Sequence, residues 1–129
     1  MDKVVHFDIP VEKPERASKF YQSAFGWRID SVPNMDYWMV NTVEVDQKSR
    51  MPKEAGAING GLYKKARKED VAVIVVNVPS VDKALEKIKK AGGKVVSPKA
   101  AVGDMGFYAK IVDTEGNQIG VWEMAKTKK

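Results

Sequence analysis

The sequence predicts an α+β fold: two βαβββ modules forming one curved mixed/antiparallel sheet, helices outside and a central cavity within. Two observations carry this. The first is an internal repeat. Displaced by 67 residues, the opening half lays Val11 on Val78, Ala17 on Ala84 and Gly26 on Gly93 without a gap. Further along the offset falls to 59, so that Gly61 meets Gly120 and Tyr63 meets Trp122, and a long polar stretch at 44–56 absorbs the difference. The second is punctuation: each repeat reads as strand, amphipathic helix and three strands, parted by Gly, Pro, Asn and Asp. One such unit cannot bury a sheet face alone, so the two are expected to share a core.

Residues 4–9 (VVHFDI) alternate and carry β-branched and aromatic residues, which predicts a strand. Pro10 and Pro14 bracket a turn. A helix follows over 15–25, with Pro14 in its first turn, Glu15 at its positive end, and Ala17, Phe20, Tyr21 and Ala24 as its apolar face. Gly26 ends it. Strands are expected at 27–32, 37–43 and 57–63, with a loop at 44–56 and a charged connector at 64–70. The second module repeats the order: strand 71–76, helix 81–91 with Ala84, Leu85, Ile88 and Ala91 on one face, a Gly92-Gly93 stop and a short strand at 94–97. A loop at 100–105 (AAVGDM) leads to the closing hairpin, strands 107–112 and 118–123 around Asp113-Thr114-Glu115-Gly116-Asn117. The boundaries give one domain over 1–129, with modules at 1–64 and 71–125.

At 129 residues the chain is long enough to bury a core without staples. It has no cysteine, which removes thiol chemistry, cysteine metal sites and disulfides and fits a reducing, cytoplasmic setting. No apolar run reaches the ~18 residues of a membrane span, and no signal peptide is evident. The net charge of +5 comes from scattered lysines (Lys64, Lys65 and Lys68 in the connector, Lys87, Lys89 and Lys90 on the second helix, Lys126, Lys128 and Lys129 in the tail), which reads as a solvated surface. Neither nucleic acid nor membrane is an expected partner. Gly60-Gly61 and Gly92-Gly93 lack the spaced glycines and lysine of a phosphate loop.

The register D-x-E-G-N-x-x-G-x-W-E (113–123), the A-x-x-F-Y-x-x-x-F-G-W run (17–27) and His6 on the first strand resemble the vicinal-oxygen-chelate superfamily, which includes glyoxalase I, bleomycin-resistance proteins and extradiol dioxygenases. The resemblance covers nearly the whole chain. It implies paired βαβββ modules, a tendency to form homodimers, and a divalent metal held on the concave face by His, Gln or Glu from four equivalent strand positions. Those positions fall here on His6, Gly61, Val73 and Gly120. Only His6 can bind a metal, so no cofactor is expected, although a divalent metal with ligands off this register stays possible. Glu123 is the nearest substitute, but strand alternation points it away from the concave side.

With the ligand positions reduced to glycine, a small, partly aromatic molecule could lie against Tyr63 and Trp122, oriented by His6, Asp8 and Asn77. The glycines serve tight packing equally well. Parity puts Tyr37 or Trp38 on the cavity, not both; Tyr37 is the candidate. Trp27, Phe107 and Tyr108 are expected in the core. The candidate ligand-binding residues are thus His6, Asp8, Tyr37, Gly61, Tyr63, Asn77, Gly120 and Trp122, with His6 alone as a metal ligand. The expected function is metal-free binding of a small molecule. The alternatives are a metal-dependent lyase, isomerase or dioxygenase and a non-enzymatic scaffold dimer, and no catalytic residue is assigned.

Overall fold

The computed structural model describes residues 1–126. They form β1 (Lys3–Val11), α1 (Pro14–Phe25), β2 (Arg28–Ser31), β3 (Tyr37–Asn41), β4 (Asn59–Lys64), β5 (Val73–Asn77), α2 (Val81–Lys90), β6 (Lys94–Val102), β7 (Gly106–Val112) and β8 (Gln118–Met124). The class is α+β. Lys128 and Lys129 of the lysine-rich tail lie outside the described residues. The chain divides into two compact units: His6–Ala72, and Met1–Val5 together with the chain from Val73 on.

In the first unit the strand order is β2-β3-β4-β1. β1 runs parallel to β4, while β2–β3 and β3–β4 are antiparallel. The second unit has the order β5-β8-β7-β6, again with one parallel pair, β5–β8, and two antiparallel pairs. The hydrogen-bonded registers repeat with the sequence offsets. Asp8 stands opposite Gly61 as Val75 stands opposite Gly120, and Pro10 opposite Tyr63 as Asn77 opposite Trp122.

Each unit has its own core. In the first, Val11, Val40 and Leu62 are buried, with Phe7, Ile9, Ala17, Tyr21, Trp27, Ile29 and Trp38 packed against them. In the second, Val78, Val81, Ala109 and Val121 are buried against Val76, Ala84, Leu85, Ile88 and Phe107. Side chains as completely covered as Val40 and Leu62, both 0% exposed, each contribute about 1.5–3 kcal/mol.

α1 starts on Pro14 and stops where Gly26 takes a left-handed conformation, φ 71°, and its N–H bonds to the Gln22 carbonyl. Its core-facing stripe, only partly buried, is narrower than expected. Ala17 and Tyr21 reach the core, but Phe20 stays 59% exposed and Ala24 lies outside. Phe20 instead packs edge-on against Tyr21, and Tyr21 stacks on Trp27 with ring centroids 5.0 Å apart. α2 is capped by the Ser80 hydroxyl, which accepts from the Lys83 N–H. It carries Asp82 in its first turn and Lys87, Lys89 and Lys90 in its last, as its dipole favours.

β6 is longer than the expected 94–97. Pro98, which has no N–H for a ladder bond, sits where the pairing with β7 shifts register, between Val95 and Ser97 and again between Ser97 and Ala100. Bulges on an outer strand absorb a proline, because its missing N–H need not face a partner. Ala100, Ala101 and Val102 therefore belong to the strand, opposite Tyr108, Phe107 and Gly106. The expected loop at 100–105 shrinks to a turn at 103–105. In the closing hairpin Asp113 Oδ1 accepts from the N–H groups of Glu115 (2.8 Å) and Asn117 (2.9 Å), and Gly116 supplies φ 83°. The Asn117 amides, backbone and then side chain, followed by the Glu115 N–H, hold the Asp113 carboxyl below the ordinary carboxylate range.

Candidate functional site

Alternation decides which side chains leave the core. Phe7, Ile9 and Val11 of β1, Trp38 and Val40 of β3 and Leu62 of β4 all pack inward in the first unit. His6 and Asp8, Tyr37, and Gly61 and Tyr63 therefore occupy the opposite strand face. Of Tyr37 and Trp38, Tyr37 is the one that shares the face of His6 and Asp8.

Three of these side chains meet at one point. The Tyr37 hydroxyl donates to Asp8 Oδ1 at 2.6 Å and lies 2.6 Å from His6 Nε2. His6 Nε2 is also 3.1 Å from Asp8 Oδ1. The Asp8 side chain is 12% exposed and that of His6 is 26% exposed, so the cluster opens outward through the imidazole. The His6 and Tyr37 ring planes lie within 17° of parallel, with centroids 6.4 Å apart. At that spacing, joined through their polar edges, the rings lie side by side and form a flat surface.

Register places Tyr37 here. It stands opposite Tyr63, two residues from the Met39–Gly61 pair, and crosses diagonally onto Gly61. A Cβ built on Gly61 would overlap the Tyr37 hydroxyl. The mid-strand glycine is thus the seat of the tyrosine, an aromatic side chain covering a bare backbone. Tyr63 donates its own hydroxyl to the Val71 carbonyl at 2.7 Å. Burial first, then the carboxylates of Asp70 and Asp8, push its phenol up to about 12.

The second unit repeats the device. Tyr108 stands opposite Trp122, two residues from the Lys110–Gly120 pair, and a Cβ on Gly120 would lie 2.6 Å from the Tyr108 hydroxyl oxygen. Sequence reasoning assigned Tyr108 to the core. The signal that finds it is the hairpin register, which opposes Tyr108 to Trp122 as Tyr37 opposes Tyr63. Trp122 itself lies over Gly106, where an added Cβ would stand 2.8 Å from the indole. Asn77 borders a depression of about 240 Å³ with Met1, Asp2, Lys3 and Pro79. Its buried Oδ1 has no hydrogen-bond partner among the described residues. Lys110, only 9% exposed, is a buried lysine that strand alternation does not single out. Of the eight candidates, then, His6, Asp8, Tyr37, Gly61 and Tyr63 gather on one face of the first unit. Asn77, Gly120 and Trp122 lie in the second.

Glu123 is accounted for by packing. Its Oε1 accepts from the Val81 N–H at 2.9 Å, so it caps the first turn of α2, where a negative charge is favoured.

A family model described as glyoxalase/bleomycin resistance protein/dioxygenase superfamily matches residues 3–121. The chain belongs to this superfamily. Among curated proteins it is 27% identical over 120 residues to the putative glyoxylase CFP32 of Mycobacterium bovis and to that of Mycobacterium tuberculosis. The match takes in 90% of the chain but 43% of each relative, so the chain spans less than half their length. Among solved structures it resembles the hypothetical protein BH1468 from Bacillus halodurans, with TM-score 0.65 and 13% identity over 99% of this chain and 98% of that one. It also resembles a Streptomyces coelicolor methylmalonyl-CoA epimerase bound to 2-nitronate-propionyl-CoA, with TM-score 0.64 and 14% identity over 96% and 98% of the two chains. At these identities the structural likeness concerns the fold alone.

Of the four positions at which the resemblance implies metal ligands, three carry no donor side chain. Val73 is apolar and 2% exposed. Gly61 and Gly120 carry no donor atom, and the space beside each holds a tyrosine hydroxyl. His6 Nε2 is committed to Tyr37 and Asp8. Among the described residues no three His, Asp or Glu side chains group closely enough to hold an ion.

Proposed function

We propose that this superfamily member binds a small, partly aromatic molecule on the strand face of its first unit, without a metal, through the hydrogen-bonded group His6, Asp8 and Tyr37. The observation that carries the reading is the convergence of these three side chains on a single tyrosine hydroxyl, half-buried beside the flat pair of rings. Packing alone does not call for it: Asp8 is a buried carboxylate, and such groups persist where hydrogen bonds hold them and a polar function needs them. The replacement of the closing-strand donors by glycine and tyrosine in both units supports recognition by hydroxyl and imidazole in place of coordination.

The test is a thermal-shift series on metal-stripped protein and on His6→Ala, with Ni, Zn, Mn, Fe and Mg in one arm and small aromatic compounds in the other. A ligand at a hundred times its dissociation constant stabilises by about 2.7 kcal/mol, several degrees for a domain of this size. The expected result is a shift with an aromatic compound, lost in His6→Ala, and none with any metal. A metal shift that disappears in His6→Ala would overturn the reading and favour a metal-dependent lyase, isomerase or dioxygenase.

A further inference from the structure

We infer that the His6–Asp8–Tyr37 group presents hydrogen-bond acceptors outward, so that the molecule it takes carries N–H or O–H donors, as an amidine, amine or hydroxyl-bearing compound does, and not a carboxylate or phosphate. The inference rests on the binding reading above and names the ligand class of that same site.

Three polar atoms lie mutually within hydrogen-bond distance: Tyr37 Oη to Asp8 Oδ1 at 2.6 Å, Tyr37 Oη to His6 Nε2 at 2.6 Å and His6 Nε2 to Asp8 Oδ1 at 3.1 Å. The phenol has one proton, and it goes to Asp8. A bare Nε2 lone pair would then face the Tyr37 oxygen at 2.6 Å with nothing between them, which is repulsive. The triangle closes only if Nε2 carries a proton, shared between the Tyr37 oxygen and the carboxylate. A neutral imidazole has one N–H, so Nδ1 keeps its lone pair. Neither Nδ1 nor Asp8 Oδ2 has a hydrogen-bond partner among the described residues. The outward polar atoms are therefore an imidazole lone pair and a carboxylate oxygen. Both accept.

An anionic ligand would have to approach these two lone-pair groups with no donor to meet it. A donor satisfies them, and a cationic donor also gains from Asp8, since hydrogen bonds to charged groups are the stronger kind. The near-parallel rings of His6 and Tyr37 offer the adjoining flat surface, which suits a planar donor such as an aryl amidine.

His6 is the only histidine of the chain, so the imidazole ¹⁵N spectrum reports this site without assignment. The experiment records it at about pH 8, first alone and then with benzamidine or benzoate. These probes match in size and planarity and differ in offering donors or acceptors. The expected result is a protonated Nε2 and a bare Nδ1 in the free protein, with benzamidine moving the Nδ1 resonance and binding at least about tenfold more tightly than benzoate. A protonated Nδ1 in the free protein, tighter binding of benzoate, or benzamidine binding that leaves Nδ1 unmoved would overturn the inference. If benzoate binds at His6 and benzamidine does not, the binding reading stands and only the polarity is wrong. If neither perturbs His6 at any concentration, the binding reading falls and takes the inference with it.

Discussion

Gly61→Ala adds one methyl group at the point where the Tyr37 hydroxyl sits. Two responses are open to the protein. The ring can stay, and the site is overpacked at a cost of about 1–3 kcal/mol. Or the ring can move, and the 2.6 Å bonds to Asp8 and His6 are lost, at about 1–1.5 kcal/mol each. The first route costs about 1–3 kcal/mol and the second about 2–3, so a loss of about 2 kcal/mol is expected, roughly 8 °C in Tm for a chain of this length. Tyr37→Ala removes the obstacle. In that background Gly61→Ala should cost less than about 0.5 kcal/mol, because a strand interior otherwise prefers alanine to glycine. The double-mutant cycle should therefore show a coupling of about 2 kcal/mol, with the second change nearly free once the first is made. Urea denaturation of the four proteins measures it. Additivity within about 0.5 kcal/mol would refute the account of Gly61 as the seat of the tyrosine.

Three further outcomes follow from contacts elsewhere. Glu123→Ala leaves the Val81 N–H at the start of α2 without its acceptor and should lower stability by about 1–2 kcal/mol, while Glu123→Gln, which keeps an acceptor but not the charge, should lose about half of that; thermal melts compare the two. Asp113 has its carboxyl held low by the Asn117 and Glu115 amides, so it adds stability that is complete above the unfolded value near 3.9 and is lost as pH falls through the folded one. Urea midpoints taken from about pH 5 downward should fall more steeply for the native protein than for Asp113→Asn. Tyr63 has its phenol raised to about 12, so its contribution is complete below the unfolded value near 10 and is lost as pH rises through about 12. An ultraviolet titration of the native protein against Tyr63→Phe should show the missing phenolate at the alkaline end of the curve; its loss near pH 10 would contradict the burial that raises it.

The repeat could be read from sequence because its signals are local: strand alternation, helical spacing and the Gly26 and Gly93 stops recur at a fixed displacement. The failures lie where a longer-range partner decides. Pro98 ends a strand by local rules, and only the register shift against β7 shows why β6 runs on to Val102. Phe20 fits the apolar face of α1 by spacing, but the core accepts the narrower stripe of Ala17 and Tyr21. At the site, alternation correctly put His6 and Asp8 on one face and narrowed β3 to Tyr37 or Trp38. The contact of Tyr37 with Gly61 was not legible. It depends on how β3 pairs with β4 across the irregular 44–56 segment, which carries no periodic signal, and on a diagonal that neither residue announces. For Tyr108 and Gly120 the short hairpin makes the register readable, and only the diagonal contact goes unannounced. Parity likewise points Glu123 away from the concave side, but its partner, a helix N-terminus 42 residues earlier, could be found only in three dimensions.

The strands that close the two sheet orders, β2 and β6, bear on how the protein behaves at high concentration. An outer strand presents unpaired backbone groups and is a template for further strands, the first step toward fibrous aggregates. β2 is only four residues long and carries the Arg28–Asp30 ion pair. β6 is nine residues long and would be the greater hazard if it were straight, but Pro98 deprives it of a donor, two register shifts bend it, and Lys94 and Lys99 charge it. The irregularity that carries β6 past its expected end is thus also what makes it a poor template for edge-to-edge pairing.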